Sequence, residues 1–488
     1  MHLFFSPARF FPSISDATQA FIRAAYGLLL FGTLLQAMPQ ARRFFVSERW
    51  RGYAKSSPAV DAVQNPIVMP LIVGIWSLTA ILLIVGRWTL VAAGINLIFA
   101  HYYCVQMRWK SVVRGLGAPG LMTYWLGFAI FLLELTVRVG PGVRDLALLV
   151  LQVDFSFIIL SAGVYKFTAG YAHNQGMELG MVNPEWGYWW RFYRTLRPSH
   201  WLFHTLNHLA WGTEVAAALL MLVPPTRFLG GLLIILSFAF IATQIRLGLL
   251  CEMVMICGLL FVHPGSLVDG WLMRIMHAAP LASRSMPLLS GVVGTLLWAY
   301  LVLLPLAHAG MYYNFYARKR LPAPLQRAVE RYTNFFGMII WRVFSVDVVN
   351  FFVTIDRLDG ATGERAAISS WGNPLRLRYN HVVESITVTS LFTTLKYYPS
   401  NTALFRERVL RYARTLPPDG AALVFNYFSV TKNAGDFSFT PVAEYHVDAA
   451  RTAVDERLIN AAISVYVPNA ASPVHEGAVP GSYAPLAS

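Results

Sequence analysis

Residues 144–166 read RDLALLVLQVDFSFIILSAGVYK, a largely apolar run that ends in a lysine. An α-helix needs about 20 apolar residues to cross the hydrocarbon core of a bilayer, so this run predicts a membrane span. Similar runs occupy residues 18–38, 66–86, 88–106, 118–138, 204–224, 226–245, 247–263 and 286–310. Since 56% of the 488 residues are hydrophobic and only 13% are charged, we predict a membrane α-helical bundle of about nine transmembrane helices over residues 1–325.

A different pattern begins near residue 349, where apolar and polar residues alternate with the period of two that is typical of β-strands. We expect strands at 351–358, 364–370, 422–428 and 439–447, a tight turn at 359–363, and helices at 381–396 and 401–414. Residues 326–467 are therefore predicted to form a water-facing, β-rich α+β domain. Residues 468–488, rich in Ala, Pro, Ser and Gly, are predicted to be a disordered tail.

The net charge of +14 comes from Arg and Lys residues that cluster in the connections at 42–55, 108–114, 191–197 and 318–327. Such clusters contact lipid headgroups and do not indicate binding to nucleic acid. Four predicted spans separate the loop after residue 166 from the C-terminal domain, so we expect both on one face of the membrane. The positive-inside rule predicts that this face is cytoplasmic.

The three cysteines, Cys104, Cys251 and Cys257, lie in or beside apolar runs. Their spacing fits neither a disulfide framework nor a zinc site, and we expect no bound metal. The first 18 residues lack the basic start and short apolar core of a cleaved signal peptide, and none is predicted.

Lys166 stands at the mouth of its span, before a loop rich in Trp, Tyr, Asn and Arg. Removing an amine from water disfavours its charged form, so a desolvated lysine at this depth would serve as a neutral base. The alternative is a snorkelling lysine that only marks the water boundary.

Several other polar residues fall within predicted spans. His204 and His208 are four residues apart and would share one face of a helix, within reach of the basic loop. A metal site needs further ligands and Glu214 lies off that face, so we expect either interhelical hydrogen bonds or contact with a quinone or substrate. Asp154, Glu214 and Glu252 should face the bundle interior, because a charge in lipid is costly.

Glu134 and Arg138 are also four residues apart, near the end of a span. Opposite charges at this spacing are neighbours on a helix surface, so we predict that the two residues pair with each other.

Three stretches around Lys166 carry a family resemblance. They are Ala162-Gly163-Val164-Tyr165-Lys166, then Asn183-Pro184-Glu185-Trp186, then His204-Thr205-Leu206-Asn207-His208, with Glu214 beyond them. In this layout the chain resembles the vitamin K-dependent γ-carboxylase superfamily, which includes the horizontally transferred transmembrane domain proteins and, more distantly, the lipase maturation factors. A looser likeness covers residues 341–345, the turn at 359–364 and residues 398–401, because the family carboxylases carry a β-rich domain after their spans.

The resemblance implies a quinol-dependent carboxylase or related lyase, with a reduced naphthoquinone or other quinol as cofactor and a protein or peptide as substrate. Lys166 stands where the family has its initiating base. The residues expected to line the substrate or cofactor pocket are Asn183, Trp186, His204, Asn207, His208, Glu214 and Glu252. The resemblance also implies that the C-terminal domain lies on the face opposite to the one that the charge bias predicts.

The chain departs from the family pattern at residues 118–125, where the carboxylases have a histidine and this sequence reads APGLMTYW. This departure favours an alternative function. The chain would then be a non-catalytic membrane maturation or assembly factor that binds a partner protein.

Overall fold

The computed structural model of the chain describes residues 10–107, 117–276, 286–342, 346–368, 379–416 and 420–460. The predicted tail at 468–488 and the end of the second predicted strand, residues 369–370, lie outside these ranges. So do residues 343–345 of the resemblance and the whole basic connection at 108–114.

Within these ranges, seven helices are long and apolar enough to cross a membrane. They are α1 Asp16–Ala37, α2 Val68–Val85, α3 Thr89–Gln106, α4 Pro119–Val139, α5 Pro141–Thr168, α7 Pro224–Gln244 and α10 Pro287–Tyr316. The chain is therefore a multi-pass integral membrane protein whose N-terminal part is a helical bundle in contact with lipid, as the composition predicts.

Two of the nine predicted spans differ from these seven. The run 204–224 forms α6 Trp201–Leu222, a 22-residue helix that is less apolar because it carries two histidines, Asn207 and Glu214. The run 247–263 forms helix α8 Leu250–Gly258, which continues as a 3-10 turn to Phe261 and is shorter than the seven spans. The chain leaves helical geometry before α8, since Ile245 is extended and Gly248 is left-handed at φ +61°.

Helix α5 lies at the centre of the bundle, packed against α4, α6 and α10. Its side chains are buried on nearly every face from Val143 to Lys166, which suits a helix that is apolar all round. The end of α5 that carries Lys166 is therefore enclosed by other helices.

The predicted pairing of Glu134 with Arg138 is wrong. Arg138 is exposed at the end of α4, whereas Glu134 points inward and accepts hydrogen bonds from Thr89, Gln19 and Arg23. The hydrogen-bond partners of this inward-facing carboxylate lie on neighbouring helices. The spacing of residues along its own helix therefore could not predict them.

The C-terminal part holds a five-stranded antiparallel sheet in the order β2-β1-β3-β4-β5. Its strands are β1 Phe351–Leu358, β2 Arg365–Ala367, β3 Ala422–Lys432, β4 Phe437–Val447 and β5 Val454–Leu458. The predicted hairpin is confirmed over the described residues, and Asp359 closes its turn by accepting hydrogen bonds from the backbone of Ala361 and Thr362. The sequence did not indicate β5.

Both predicted helices of this domain are present, and they pack on the sheet. Helix α12 Tyr379–Tyr397 and helix α13 Thr402–Arg414 match the predicted segments, and the ring of Phe392 contacts those of Phe405 and Tyr445 at 5.2 and 5.4 Å. Two further helices, α9 Leu267–Met276 and α11 Ala323–Phe335, were not predicted. Helix α11 runs across the predicted domain boundary at residues 325 and 326.

The sheet domain docks onto one end of the bundle. The ion pairs that join the two parts are Arg43–Glu384 at 3.0 Å, Arg411–Glu48 at 3.3 Å, Lys55–Glu407 at 3.2 Å and Lys432–Glu178 at 3.1 Å. The connections after α1 and after α5 therefore lie on the same face as the sheet domain, as predicted.

Candidate functional site

Lys166 lies in the last turn of α5 and does not snorkel to water. Its side chain is 4% exposed, and Nζ donates a hydrogen bond to Oε1 of Glu214, a side chain that is 1% exposed. The sequence singled out both residues, but it gave no indication that they pair. Lys166 is thus a buried amine with a carboxylate partner, and not the lone amine that the sequence suggested.

Gly163 brings the two residues together, one turn before Lys166. A Cβ atom at this position would lie 2.7 Å from Val215 Cγ2, 2.9 Å from the Val215 backbone nitrogen and 3.1 Å from Glu214 Cβ. Only glycine therefore allows α5 and α6 to approach so closely. This close approach sets the length of the gap that Lys166 and Glu214 bridge.

The second oxygen of Glu214 distinguishes this pair from an ordinary buried ion pair. Oε2 is shielded from solvent and has no hydrogen-bond partner among the described residues. Most buried polar atoms are hydrogen-bonded, and leaving one unpaired costs about 1–3 kcal/mol. The carboxylate can accept one more hydrogen bond than the protein gives it.

Aromatic side chains lead from this pair toward the outside of the bundle. Trp211 lies one turn before Glu214 on α6, and its indole Nε1 is also buried without a partner in the described part of the chain. Its ring packs edge-on against that of Phe167 at 4.9 Å, and Phe167 is exposed. An exposed aromatic surface thus adjoins a donor and an acceptor that both lack a partner in the part of the chain that the structure describes.

On the inner side, Tyr171 and Cys251 approach the pair. Tyr171 is fully buried in the loop after α5, and burial together with the carboxylates of Glu178 and Glu214 raises its pKa well above the usual value. Cys251, the second residue of α8, lies close enough to Lys166 for the two groups to interact electrostatically. Glu252 follows Cys251, is half-buried, and has one carboxylate oxygen without a partner among the described residues.

Three of the predicted pocket residues hold in place the loop between α5 and α6, which covers the site. Asn207 Oδ1 accepts from the Met177 backbone at 2.9 Å and its Nδ2 donates to Glu178 at 2.7 Å, which fixes the loop on α6. Asn183 Nδ2 donates to the carbonyl oxygens of Val349 and Phe351 at 2.9 and 2.8 Å.

Trp186 is buried in the same loop, and its carbonyl oxygen accepts a hydrogen bond from the Arg246 backbone at 2.8 Å. Asn183, Trp186 and Asn207 therefore tie together the loop, the bundle and the sheet domain.

His204 and His208 do not join the site. Both are exposed on the outer face of α6, while Asn207 and Glu214 face inward from the same helix. The nearest link is the ring of His208, which lies 6.3 Å from that of Trp211. In the parts of the chain that the structure describes, no three His, Cys, Asp or Glu residues are grouped as metal ligands would be.

Sequence reasoning also missed His308 and Arg246, two of the buried polar residues. His308 on α10 is buried, with neither ring nitrogen partnered within the described ranges, and its ring stacks on Phe157 at 5.0 Å. Arg246 follows the end of α7 and is also buried. A lone histidine within a predicted span and an arginine directly after one were the available signals.

These features define a multi-pass integral membrane protein with a buried Lys–Glu pair at one end of its bundle, covered by a loop and a docked five-stranded domain. Comparison of the chain with models of protein families, with curated proteins and with solved structures gives no match.

Proposed function

We propose that the chain is a membrane enzyme in which Lys166 acts as a base toward a lipid-soluble quinol, in a quinol-dependent carboxylase or a related lyase. The observation that carries the proposal is the burial of Lys166 against Glu214, whose Oε2 has no hydrogen-bond partner in the described ranges. The resemblance of residues 162–214 to the vitamin K-dependent γ-carboxylase superfamily supports the same reaction class.

The pair can place a single proton on Lys166 Nζ or on Glu214 Oε1. With the proton on Oε1 both groups are neutral, and surroundings of low dielectric constant favour this form because they penalise charge. A substrate hydroxyl bound at Oε2 can then give its proton to Oε2 while the Oε1 proton passes to the lone pair on Nζ. Whether Lys166 can act as a base therefore depends on Glu214 and not on desolvation alone.

The residues present fit a quinone or quinol ring. Glu214 Oε2 can accept a hydrogen bond from a hydroxyl, and Trp211 Nε1 can donate one to a carbonyl oxygen. The exposed ring of Phe167 beside Trp211 offers an apolar approach from the bilayer. When bound, a reduced naphthoquinone or other quinol would supply the acidic hydroxyl and the redox chemistry.

The cover of the site supports a reaction that must exclude water. Asn183, Glu178 and Glu185 attach the loop to the sheet domain through the Val349 and Phe351 carbonyls, Lys432 and Thr389 respectively. A fixed cover keeps a reactive base away from solvent. The sheet domain is then placed to present a protein or peptide substrate.

A non-catalytic maturation or assembly factor is the second candidate. Two observations favour it: Lys166 already has a partner, and residues 118–125 lack the histidine of the carboxylases. In that case the pair would only orient α5 against α6, and the docked domain would hold another protein.

Small molecules that co-purify with the protein separate these functions. We expect mass spectrometry of the protein purified in mild detergent to show a naphthoquinone or ubiquinone at a near-stoichiometric level. Glu214→Gln should lose this molecule, because the amide cannot replace the carboxylate acceptors. Glu134→Gln is the matched control, since Glu134 is equally buried in the bundle but fully partnered.

A quinone retained equally by wild type and Glu214→Gln would remove Glu214 from its binding. A tightly bound partner protein without any quinone would contradict the enzyme and support the assembly factor.

A further inference from the structure

Arg246 is held rigidly in the connection between α7 and α8. Its backbone N–H donates to the Trp186 carbonyl oxygen at 2.8 Å, and the preceding residue, Ile245, bridges to Gly187. The side chain is 2% exposed. Arg246 therefore belongs to the packed junction between the bundle and the covering loop.

Only part of the Arg246 guanidinium is satisfied. Nη1 donates to the Pro184 carbonyl oxygen at 2.8 Å, whereas Nε and Nη2 have no hydrogen-bond partner among the described residues. Nε and Nη2 form the edge of the guanidinium that binds two oxygens of a phosphate or carboxylate in parallel. The ring of Tyr188, itself half-buried, lies 5.3 Å from the guanidinium carbon.

No carboxylate of the described residues forms an ion pair with Arg246. A buried charge is normally paired, because its removal from water is otherwise uncompensated. Arg411, which is similarly buried, shows the usual arrangement, since it pairs with Glu407 and Glu48. The junction around Arg246 thus contains a positive charge that no carboxylate in the described part of the chain neutralises.

The position of Arg246 indicates which anion fits. It lies two residues beyond the end of a helix long and apolar enough to span a membrane, where we expect the chain to leave the hydrocarbon core and reach the phospholipid headgroups. Trp189 and Phe192 are exposed in the adjoining loop, and aromatic residues of this kind mark the headgroup layer. Arg191 and Arg194 add further positive charge nearby in sequence.

We propose that Arg246 anchors a binding site for a phosphate group at the membrane surface, held through Nε and Nη2. The phosphate would come from a phospholipid headgroup or from inorganic phosphate in solution. The site is separate from the Lys166–Glu214 pair and does not depend on the function proposed for that pair. Its occupation would stabilise the junction of loop, bundle and sheet domain.

Inorganic phosphate tests the proposal directly. Full-length protein, stripped of lipid in detergent, is titrated with phosphate at constant ionic strength, with chloride as the balancing anion, while Tm is measured. We expect a saturable rise in Tm. Arg246→Lys keeps the charge but loses the planar fork, so it should weaken the apparent affinity by about tenfold. Arg227→Lys is the matched control, because Arg227 is another buried arginine whose Nη1 donates to a carbonyl oxygen.

A second experiment tests whether the phosphate comes from a phospholipid headgroup. Native mass spectrometry of the wild-type protein would show a phospholipid that survives delipidation, and this arm needs no variant to fold. Retained phospholipid in the wild type that is lost in Arg246→Lys supports the headgroup source, and a Tm response to phosphate without retained lipid supports the free anion. An equal Tm response in wild type and Arg246→Lys, or neither bound lipid nor any response, would overturn the site.

Discussion

Two ion pairs in this molecule differ in how completely they are satisfied. Lys166–Glu214, within the bundle, is almost fully buried and leaves one carboxylate oxygen without a partner among the described residues. Arg43–Glu384, which joins the bundle to the sheet domain, has side chains that are 16% and 20% exposed. There both carboxylate oxygens accept from Arg43, at 3.0 and 3.1 Å, and Tyr412 donates a further hydrogen bond.

This difference indicates that the Arg43–Glu384 pair attaches the sheet domain, whereas the Lys166–Glu214 pair is suited to chemistry. A bidentate pair with its hydrogen bonds complete and some contact with water stabilises an interface and has no spare capacity. A buried pair with an unpartnered oxygen is less stabilising and retains an acceptor for a ligand. The Lys166–Glu214 pair is therefore the place where binding can be coupled to proton movement.

The largest effect should come from removing one partner of the buried pair. Lys166→Met leaves Glu214 uncompensated, and breaking a buried pair in this way costs about 3–5 kcal/mol. Adding Glu214→Leu to Lys166→Met should recover most of this loss, since apolar replacements of both partners are often neutral. Thermal unfolding in detergent measures both changes. A double variant no more stable than Lys166→Met would mean that the pair is not the unit described.

Gly163 offers a way to disturb the pair without touching either partner. Gly163→Ala places a Cβ 2.7 Å from Val215 Cγ2, so we expect a loss of about 1–3 kcal/mol from overpacking between α5 and α6. Gly212→Ala on α6 is the matched control, because a Cβ there meets no atom within 4 Å. The control should be neutral or stabilising by up to about 1 kcal/mol through helix propensity. Equal Tm values for the two variants would refute the close approach.

Arg43→Met should loosen the docked domain without affecting the bundle. We expect a loss of about 1–2 kcal/mol, which is less than for the Lys166 variant because the Arg43 pair is partly hydrated. Hydrogen exchange should rise in Thr402–Arg414, where Tyr412 contacts Glu384. Lys55→Met removes the more exposed pair with Glu407 and should change little. Faster exchange in α5 than in α13 would contradict this division of roles.

Glu185 should give an effect that depends on pH. Burial raises its pKa well above the ordinary value of 4.5, so its proton stabilises the folded state at low pH and this stability is lost as pH rises through the folded pKa. Glu185→Gln should remove that loss and be more stable than wild type at neutral and alkaline pH. Glu444 has the opposite sign, because hydrogen bonds from Arg365 and His446 lower its pKa to about 2.

Glu444→Gln should therefore lose stability relative to wild type at neutral pH, and the difference should shrink as pH falls from about 4.5 toward 2. Tm profiles of the two variants against pH measure both trends. Parallel profiles for Glu185→Gln and wild type would show that the carboxyl of Glu185 titrates normally.

Local patterns accounted for most of the fold. Apolar runs predicted the seven spans, and period-two alternation with an Asp-Gly turn predicted the β1–β2 hairpin, because these signals depend on neighbours in the sequence. The apolar pattern did not predict helix α11, because this helix is largely polar and lies between apolar segments. Composition alone likewise did not show that helix α8 begins only at Leu250, after Ile245 and Gly248 leave helical geometry.

The site depended on contacts that the sequence does not encode locally. Lys166 and Glu214 are 48 residues apart, and they meet because Gly163 sets the distance between two helices. The orientation of α6 in the bundle likewise determines which of its polar residues reach the site. His204 and His208 face outward, whereas Asn207 and Glu214 face inward, and no sequence period separates a ligand from a structural hydrogen bond.

Infrared difference spectroscopy of the reconstituted protein, recorded on addition of a quinol, tests the central claim most directly. The account predicts a change in the carbonyl band of a protonated carboxyl group that is present in wild type and Glu134→Gln and absent in Glu214→Gln. A spectrum in which Glu214→Gln retains the full wild-type change, or in which wild type shows no such change while quinol is bound, would contradict a proton shared between Lys166 and Glu214.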